Sequence, residues 1–513
     1  MVVNAYNGSI YEKNHSINST LMLALFQKIS NHISNQAVIS NDISYGYAEL
    51  LSASKSFASL LLNGNSDLQE TRVAFMVNPG FDYVKVQWAI WQAGGIAVPL
   101  CLSHPLPSLQ YVIDDTEAAV LVVSAQFKNL LEELAIGKNI RLLVVENQVI
   151  AQPIQLPVID SSRRAMILYT SGTTNKPKGV VTTYDNLEAQ IETLVTAWEW
   201  SSIDHVLCVL PLHHVHGIVN VIGCAMWSGA TCEFIPEFSA KEIFRLFAKG
   251  AINVFMAVPT IYYKLITYWE SLPKEDQEQA TDCMKKFRLM VCGSAALPVS
   301  VMEKWEIISG HKLLERYGMT EIGMAISNPY NGERKAGYVG IPLPGVEVKL
   351  VDEFLQKVKP GEPGEILVKG KNVFGEYWNK PEATAKEFTL DGWFKTGDVA
   401  VVEESYIRIM GRNSVDIIKS GGYKISALEI EEVLRTHTFI DDCAVVGMQD
   451  DEWGELIVAA LVVNDNTINL DDLNKWLREN MAAYKTPRKY LLVAELPRNA
   501  MGKVTKNDIK KLF

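Results

Sequence analysis

The chain has 513 residues, of which 48% are hydrophobic, so it can form two or three folding units with well-buried cores. Its formal net charge of −11 argues against a nucleic-acid partner and against binding to an anionic membrane surface, because both attract basic proteins. Seven scattered cysteines without metal-ligand spacing indicate reduced thiols, and the polar N-terminus has no secretory pattern. We therefore expect a cytoplasmic protein without membrane insertion.

Short β-rich runs alternate with helical segments between residues 70 and 150. The β-rich runs are RVAFMV, IAVPL, AVLVVS and RLLVVE, and the helical segments include Phe81–Gln92 and residues 106–116. This alternation predicts a parallel, doubly wound α/β layer. The pattern recurs over residues 205–316, so a second layer is predicted there. Ligands bind at the carboxyl ends of strands in such sheets, which is where chemistry is expected.

The pattern changes twice in the C-terminal third of the chain. After residue 340, short strands with frequent glycine and proline predict a small β-rich subdomain. Residues 412–513 predict a small α+β domain, with helices near 427–436 and 470–481. The predicted fold class is α/β, with doubly wound layers and the β-rich subdomain in a large N-terminal domain over residues 1–411. The small C-terminal domain follows over residues 412–513.

A loop dense in hydroxyl groups and glycine lies within the run ILYTSGTTNKPKGVV at residues 167–181. Its glycines allow the backbone to approach an anion, and its hydroxyl groups and lysine can bind phosphate oxygens. These residues are Thr170, Ser171, Gly172, Thr173, Thr174, Lys178 and Gly179. No Ser or Thr follows a Gly-Lys pair, so the loop is not a Walker motif. A polyphosphate site is predicted, and an ordinary polar surface loop is the alternative.

This loop resembles the signature loop of the acyl-adenylating superfamily, which contains acyl-CoA synthetases and the adenylation domains of peptide synthetases. Five further runs are similar to motifs of that superfamily and follow in its order. They are CGSAAL at 292–297, ERYGMTE at 315–321, TGD at 396–398, GRNSVDIIKSGGYKI at 411–425 and PRNAMGKVTK at 497–506. Asn175 departs from the pattern, which usually has glycine there, although asparagine tolerates a left-handed backbone.

The resemblance implies a nucleotide site in the middle motifs. Tyr317 is expected to pack on the adenine, and Asp398 to accept hydrogen bonds from the ribose hydroxyls with Arg412 beside it. Thr320 and Glu321 are expected at the phosphates, with Glu321 and Thr174 as ligands of Mg²⁺, a cation that prefers oxygen. Further nucleotide contacts are implied for the loop residues Thr170 to Thr174 and for Gly293, Ser294, Ala295, Arg316 and Gly318.

The resemblance also implies that the C-terminal domain is mobile and has two roles. Lys503 is expected to neutralise charge as the acyl-adenylate forms, which completes an implied catalytic set of Lys178, Thr320, Glu321 and Lys503. For the second half-reaction the domain is expected to rotate about a hinge within residues 412–416. Coenzyme A, the expected acceptor, would then meet Lys419, Gly421, Gly422 and Tyr423.

Three segments resemble malonyl-CoA synthetases within the superfamily: residues 210–217, 287–298 and 315–346. A dicarboxylate needs a fixed cation for the carboxylate that does not react, and Arg288 is the predicted cation, with one of His213, His214 and His216 as an added donor. Gly318 and Met319 are expected to line the same acyl pocket. The alternatives are that Arg288 is tethered to a surface carboxylate beside the strand and that the histidines simply pack at the end of a strand.

The predicted reaction converts malonate or methylmalonate, ATP and coenzyme A into an acyl-CoA, AMP and pyrophosphate, with Mg²⁺ as the metal. A ligase for fatty or aryl monocarboxylates is one alternative, and an adenylating enzyme that loads a carrier protein is another. A nucleotide-binding scaffold without catalysis belongs to a different class, and the presence of Lys178, Glu321, Asp398 and Lys503 argues against it.

Overall fold

The computed structural model of the protein describes residues 23–147, 155–170, 176–464, 468–498 and 504–513. The strands in these ranges are β1 Gln36–Ser40, β2 Ile43–Gly46, β3 Arg72–Met76, β4 Ile96–Pro99, β5 Val120–Val123, β6 Arg141–Val144, β7 Arg164–Thr170, β8 Lys178–Thr183, β9 His205–Cys208, β10 Thr231–Phe234, β11 Val254–Ala257, β12 Leu289–Cys292, β13 Leu314–Met319, β14 Gly323–Ser327, β15 Ile341–Pro342, β16 Val346–Val351, β17 Gly364–Gly370, β18 Glu376–Tyr377, β19 Phe394–Glu403, β20 Tyr406–Arg412, β21 Ile417–Ser420, β22 Tyr423–Ser426, β23 Ile440–Asp450, β24 Gly454–Val463 and β25 Lys489–Leu492.

The α-helices in the same ranges are α1 Ala24–Ser30, α2 Tyr47–Leu62, α3 Phe81–Gln92, α4 Leu106–Asp115, α5 Lys128–Gly137, α6 Tyr184–Ala197, α7 Cys224–Ser228, α8 Ala240–Ala248, α9 Pro259–Glu270, α10 Lys274–Met284, α11 Val299–Ser309, α12 Pro381–Glu387, α13 Ala427–Arg435, α14 Leu470–Asn480 and α15 Lys506–Lys510. A π-helical segment covers His216–Gly223 and leads directly into α7. Short 3₁₀ turns cover Ala125–Phe127, Val145–Asn147 and Ala483–Lys485.

The first large sheet has seven strands in the order β18-β8-β7-β4-β3-β5-β6. Its strands β3 to β7 run parallel, and at one edge β8 pairs antiparallel with both β7 and β18. Every residue of β4 and β5 is buried, as expected for parallel strands covered by helices on both faces. The predicted alternation over residues 70–150 is confirmed, with α3 at its predicted bounds and α4 one residue shorter.

The second large sheet has nine strands in the order β15-β14-β13-β12-β11-β9-β10-β1-β2. Six neighbouring strands are parallel, namely β13, β12, β11, β9, β10 and β1. Antiparallel pairing adds β14 and β15 at one edge and β2 at the other. The carboxyl ends of β9, β12 and β13 therefore lie along one edge of the sheet. The motifs that follow these strands in the sequence are brought to that edge.

Two smaller sheets complete the fold. The strands β16, β17, β19 and β20 form an antiparallel sheet, which is the predicted β-rich subdomain. The strands β21 to β25 form a separate sheet with α13 and α14, and its apolar cores draw only on residues 418–509. These features confirm the predicted fold class. The boundary between residues 411 and 412 stays a prediction, and it falls within β20, five residues before β21 begins.

None of the described helices combines the length and apolar character of a segment that spans a bilayer.

Candidate active site

The phosphate loop is bracketed by two antiparallel strands. Thr170 ends β7, Lys178 begins β8, and the two residues face each other in the register of the pair. The predicted phosphate contacts of Ser171, Gly172, Thr173 and Thr174, together with Asn175, lie outside the described residues. Lys503 lies outside them as well. The described flanks thus place the lysine at the base of the predicted phosphate loop.

Tyr377 links Lys178 to Glu321. The Lys178 Nζ lies 4.7 Å from the centroid of the Tyr377 ring, and the Tyr377 hydroxyl donates a 2.9 Å hydrogen bond to Glu321 Oε1. Tyr377 reaches this place because β18 pairs with β8, so that Tyr377 stands opposite Val180. Two members of the predicted catalytic set are therefore brought together by a tyrosine that the sequence analysis did not single out.

Thr320 and Glu321 occupy the turn between β13 and β14, at the carboxyl end of β13. Glu321 is only 6% exposed, and burial raises the pKa of its carboxyl group. The hydrogen bond from Tyr377 acts in the opposite direction, because it stabilises the ionised form. Carboxylate oxygens are the ligands that Mg²⁺ prefers, and this ion usually combines one or two of them with substrate phosphates. The Glu321 carboxylate fits that role.

Tyr317, Asp398 and Arg412 form one hydrogen-bonded group. The Tyr317 hydroxyl donates to Asp398 Oδ2 at 2.6 Å, and Arg412 Nε donates to Asp398 Oδ1 at 3.0 Å. Asp398 faces Arg412 because β19 and β20 pair in that register. A carboxylate oxygen has two lone pairs, so each Asp398 oxygen can still accept a second hydrogen bond. The structure thus joins three predicted nucleotide residues from β13, β19 and β20.

His216, Ser294 and Arg316 meet at the carboxyl end of β12. Ser294 Oγ lies 3.2 Å from His216 Nδ1 and accepts a 3.3 Å hydrogen bond from Arg316 Nη2. The arginine passes directly over Gly293, where an added Cβ would lie 2.7 Å from the guanidinium carbon. Any larger residue at that position would displace the Arg316 guanidinium group. Ala295, the next predicted residue, is exposed.

Arg316 is a buried cation. Its exposed fraction is 3%, and burial lowers the pKa of its guanidinium group to about 10. Across the ranges that the structure describes, no carboxylate lies within ion-pair distance of it, and its Nε has no hydrogen-bond partner. A buried arginine is normally paired, because removing a charge from water without a partner is costly. The positive charge of the Arg316 guanidinium group is therefore available to bind an anion.

The structure gives Arg288 a different partner from the predicted acid. Arg288 precedes β12 and so lies at the amino end of that strand, about 16 Å along the chain direction from Gly293. Its Nε and Nη2 donate to the two carboxylate oxygens of the fully buried Asp204 at 2.5 and 2.7 Å, and its Nη1 donates to Trp198 O at 2.9 Å. The guanidinium group is therefore committed to a structural ion pair on the opposite edge of the sheet.

The other predicted acyl residues lie at the edge of the second sheet where β9, β12 and β13 have their carboxyl ends, which we call the active edge. His213 and His214 follow β9 with ring centroids 3.9 Å apart, and burial lowers the pKa of His213 to about 3. Gly318 pairs with Met324 across the β13–β14 hairpin, and an added Cβ there would lie 2.0 Å from Gly323 O. Met319, the next residue, is half-buried. His216, rather than His213 or His214, makes the contact with Ser294.

The predicted coenzyme A residues lie on one exposed hairpin. Gly421 and Gly422 form the turn between β21 and β22, with φ values of 57° and 82°. Positive φ at both central residues is typical of a tight hairpin turn and favours glycine. The Tyr423 ring is exposed and stacks on Tyr484 at 4.5 Å, and Lys419 is exposed two residues before the turn. Within the described ranges, no hydrogen bond joins this hairpin to Tyr317, Asp398 or Arg412.

Comparisons with known proteins agree with this geometry. Residues 25–378 match the AMP-binding enzyme family, and residues 429–503 match the AMP-binding enzyme C-terminal domain. The chain is 46% identical to the mitochondrial malonate–CoA ligase of Mus musculus, over 87% of this chain and 82% of that protein. It is 38% identical to the malonate–CoA ligase of Arabidopsis thaliana, over 98% and 91%. ATP-bound MatB from Rhodopseudomonas palustris has the same fold, with a TM-score of 0.87, 31% identity and coverage of 96% and 99%.

Proposed function

Since the chain belongs to the AMP-binding enzyme family, we propose that it is an ATP-dependent, AMP-forming ligase that joins malonate to coenzyme A. The family membership supports the activation of a carboxylic acid. The names of the relatives from Mus musculus and Arabidopsis thaliana support malonate as that acid. Methylmalonate, which differs by one methyl group, belongs to the same proposal.

The observation that best supports malonate as the substrate is the buried guanidinium group of Arg316. The acid must place one carboxylate at the ATP α-phosphate, and malonate has a second carboxylate only one carbon away. Arg316 can bind that second carboxylate, because it lies beside Ser294 and has no carboxylate partner among the described residues. A monocarboxylate would leave the buried charge unpaired, which costs on the order of 2–5 kcal/mol, or roughly 30- to 4,000-fold in affinity.

The proposed first half-reaction forms malonyl-adenylate. A carboxylate oxygen of malonate attacks the α-phosphorus, the bond from that phosphorus to the bridging oxygen breaks, and pyrophosphate leaves with the electron pair. Lys178 is proposed to bind the phosphates, and Glu321 would hold Mg²⁺, which supplies positive charge to the leaving group when bound. Asp398 and Arg412 are proposed to orient the ribose, with Tyr317 at the adenine.

The proposed second half-reaction transfers the acyl group. The thiolate of coenzyme A attacks the acyl carbon, the carbon–oxygen bond to AMP breaks, and AMP leaves as the anion. We propose that Lys503 acts only in the first half-reaction, and that the hairpin of Lys419, Gly421, Gly422 and Tyr423 acts in the second. A rotation of the C-terminal domain about residues 412–416 would withdraw Lys503 from the active site and bring the hairpin there instead.

The decisive experiment is a panel of acids, scored by pyrophosphate release from ATP with Mg²⁺, with and without coenzyme A. Malonate is expected to exceed acetate, butyrate and benzoate in kcat/KM, and malonyl-CoA is expected as the product. Preference for a monocarboxylate would contradict the malonate assignment. Pyrophosphate release without thioester formation would favour a carrier protein as the acceptor. Nucleotide binding without turnover of any acid would favour the scaffold hypothesis.

The cellular compartment needs its own test. The cytoplasmic location remains a proposal from the sequence, whereas the relative from Mus musculus is named as mitochondrial. Fractionation of cells that express the full chain, with marker enzymes for cytosol and mitochondria, distinguishes the two compartments.

A further inference from the structure

Asn220 is a fully buried asparagine with an unsatisfied side chain. Its exposed fraction is 0%, and neither Nδ2 nor Oδ1 has a hydrogen-bond partner within the described part of the chain. Buried amide groups are nearly always hydrogen-bonded in native proteins, because an unpaired one loses its bonds to water without replacement. The two unpaired atoms of Asn220 therefore need an explanation. A hydrogen bond to a bound polar ligand is an explanation that can be tested.

The position of Asn220 points to the acid site. Asn220 lies in the π-helical segment His216–Gly223, four residues after His216, and residues at this spacing share one face of a helix. His216 faces Ser294, which in turn accepts the hydrogen bond from Arg316. The segment begins shortly after the carboxyl end of β9, at the edge of the sheet where ligands bind.

The opposite face of the same segment is apolar. Ile218, Val219 and Ile222 line a small apolar cavity together with Trp88 and Ile191. Asn220 is not part of that lining. The segment therefore separates an apolar side from a polar side, and the polar side contains unpaired atoms besides the Asn220 amide. His216 Nε2 and Arg316 Nε both lack hydrogen-bond partners in the ranges that the structure covers.

We propose that Asn220 is a specificity-determining residue whose side-chain amide donates a hydrogen bond to the second carboxylate of the acid, beside Arg316. This inference rests on the proposed function and deepens it. One carboxylate carries one negative charge, which Arg316 balances, and its two oxygens offer about four acceptor sites. A neutral amide satisfies part of these sites without adding a second buried charge. A methyl group in place of the carboxylate would leave both Arg316 and Asn220 unpaired.

The test replaces Asn220 by leucine, which has a similar size and no polar atoms, in the full-length enzyme. Asn220→Leu should lower kcat/KM for malonate by roughly 5- to 140-fold, the equivalent of about 1–3 kcal/mol, mainly through a higher KM. The KM for ATP should not change, and kcat/KM for butyrate should stay constant or rise. Asn220→Asp, which keeps the shape but adds a negative charge, should lower malonate activity further than butyrate activity.

A matched control lies on the apolar face of the same segment. Ile222→Val removes one methyl group and should lower the thermal midpoint without changing the ratio of malonate to butyrate activity. The inference is overturned if Asn220→Leu lowers the activities for both acids in parallel. It is also overturned if the thermal midpoint falls and the ratio is constant, because Asn220 would then serve packing or bind a buried water.

The ratio of malonate to butyrate activity in the wild-type enzyme distinguishes a failure of this inference from a failure of the proposed function. If the wild type prefers butyrate to malonate, the proposed function fails before any variant is compared. If the wild type prefers malonate and Asn220→Leu retains that preference in full, only the role of Asn220 fails.

Discussion

Replacing Arg288 by methionine should destabilise the protein and leave its acid preference intact. The partner carboxylate, Asp204, has a side chain that is 0% exposed, and Arg288 supplies both of the charged hydrogen bonds that it receives. After the substitution, the remaining donors among the described residues are neutral: Ser201 N at 2.8 Å, Ser201 Oγ at 3.4 Å and Asn253 Nδ2 at 3.1 Å. Removing one partner of a buried ion pair costs about 3–5 kcal/mol, because the other charge stays buried.

Urea unfolding followed by tryptophan fluorescence is a suitable assay for Arg288→Met. Arg288 donates to Trp198 O, and its guanidinium carbon lies 5.8 Å from the centroid of the Trp200 ring, so local probes are present. The midpoint should fall at constant slope. The double variant Arg288→Met/Asp204→Asn is the matched control and should recover much of the loss, since the uncompensated charge is removed with its partner.

Substrate preference supplies the result that would refute this reasoning. The ratio of malonate to acetate kcat/KM should stay within about threefold of wild type, a difference of less than about 0.7 kcal/mol. If Arg288→Met kept its unfolding free energy within about 0.5 kcal/mol and lost the malonate preference, Arg288 would be the acid-binding cation after all. The ion pair with Asp204 would then have no bearing on stability.

Three further substitutions test the active edge. Arg316→Met should lower kcat/KM for malonate by roughly 30- to 4,000-fold while acetate activity changes far less, measured by pyrophosphate release. Tyr377→Phe removes the hydrogen bond that lowers the pKa of Glu321, so the acid limb of the pH–rate profile should move to higher pH and the Mg²⁺ requirement should rise. Glu315→Gln concerns a fully buried carboxyl whose pKa burial raises to about 8, well above the unfolded value of about 4.3. The wild type should therefore lose unfolding free energy as the pH rises between these values, and the variant should lose less, as urea unfolding at pH 6 and pH 9 can show.

Much of the fold could be predicted from local sequence pattern. Buried parallel strands appear as short apolar runs, and β4 and β5 are of this kind. The helix bounds Phe81–Gln92 were predicted without error, and α13 and α14 each end one residue before their predicted ends. The family matches confirm the resemblance to the acyl-adenylating superfamily. The resemblance follows from the order of the motifs along the chain, which can be read without any knowledge of side-chain contacts.

Contacts made by strand pairing could not be predicted in the same way. Tyr377 enters the site because a two-residue strand, β18, joins the edge of the first sheet next to β8, nearly 200 residues earlier in the chain. A strand so short has no periodicity to detect. Asn220 was missed for a related reason. It stands in an apolar helical segment, and only burial without a partner distinguishes it from a packed side chain.

Arg288, in its ion pair with Asp204, and Arg316, in its proposed binding role, differ in their position relative to the strand ends of this sheet. Both are associated with neighbouring parallel strands, and both have long side chains that could bind a carboxylate. Arg288 comes before β12, at the amino end, where Asp204 and Asn253 also precede their strands β9 and β11. Arg316 lies within β13 and passes over Gly293, at the carboxyl end of β12. Because parallel strands align their carboxyl ends at one edge, position relative to the strand end separates the two residues, and chemical type alone does not.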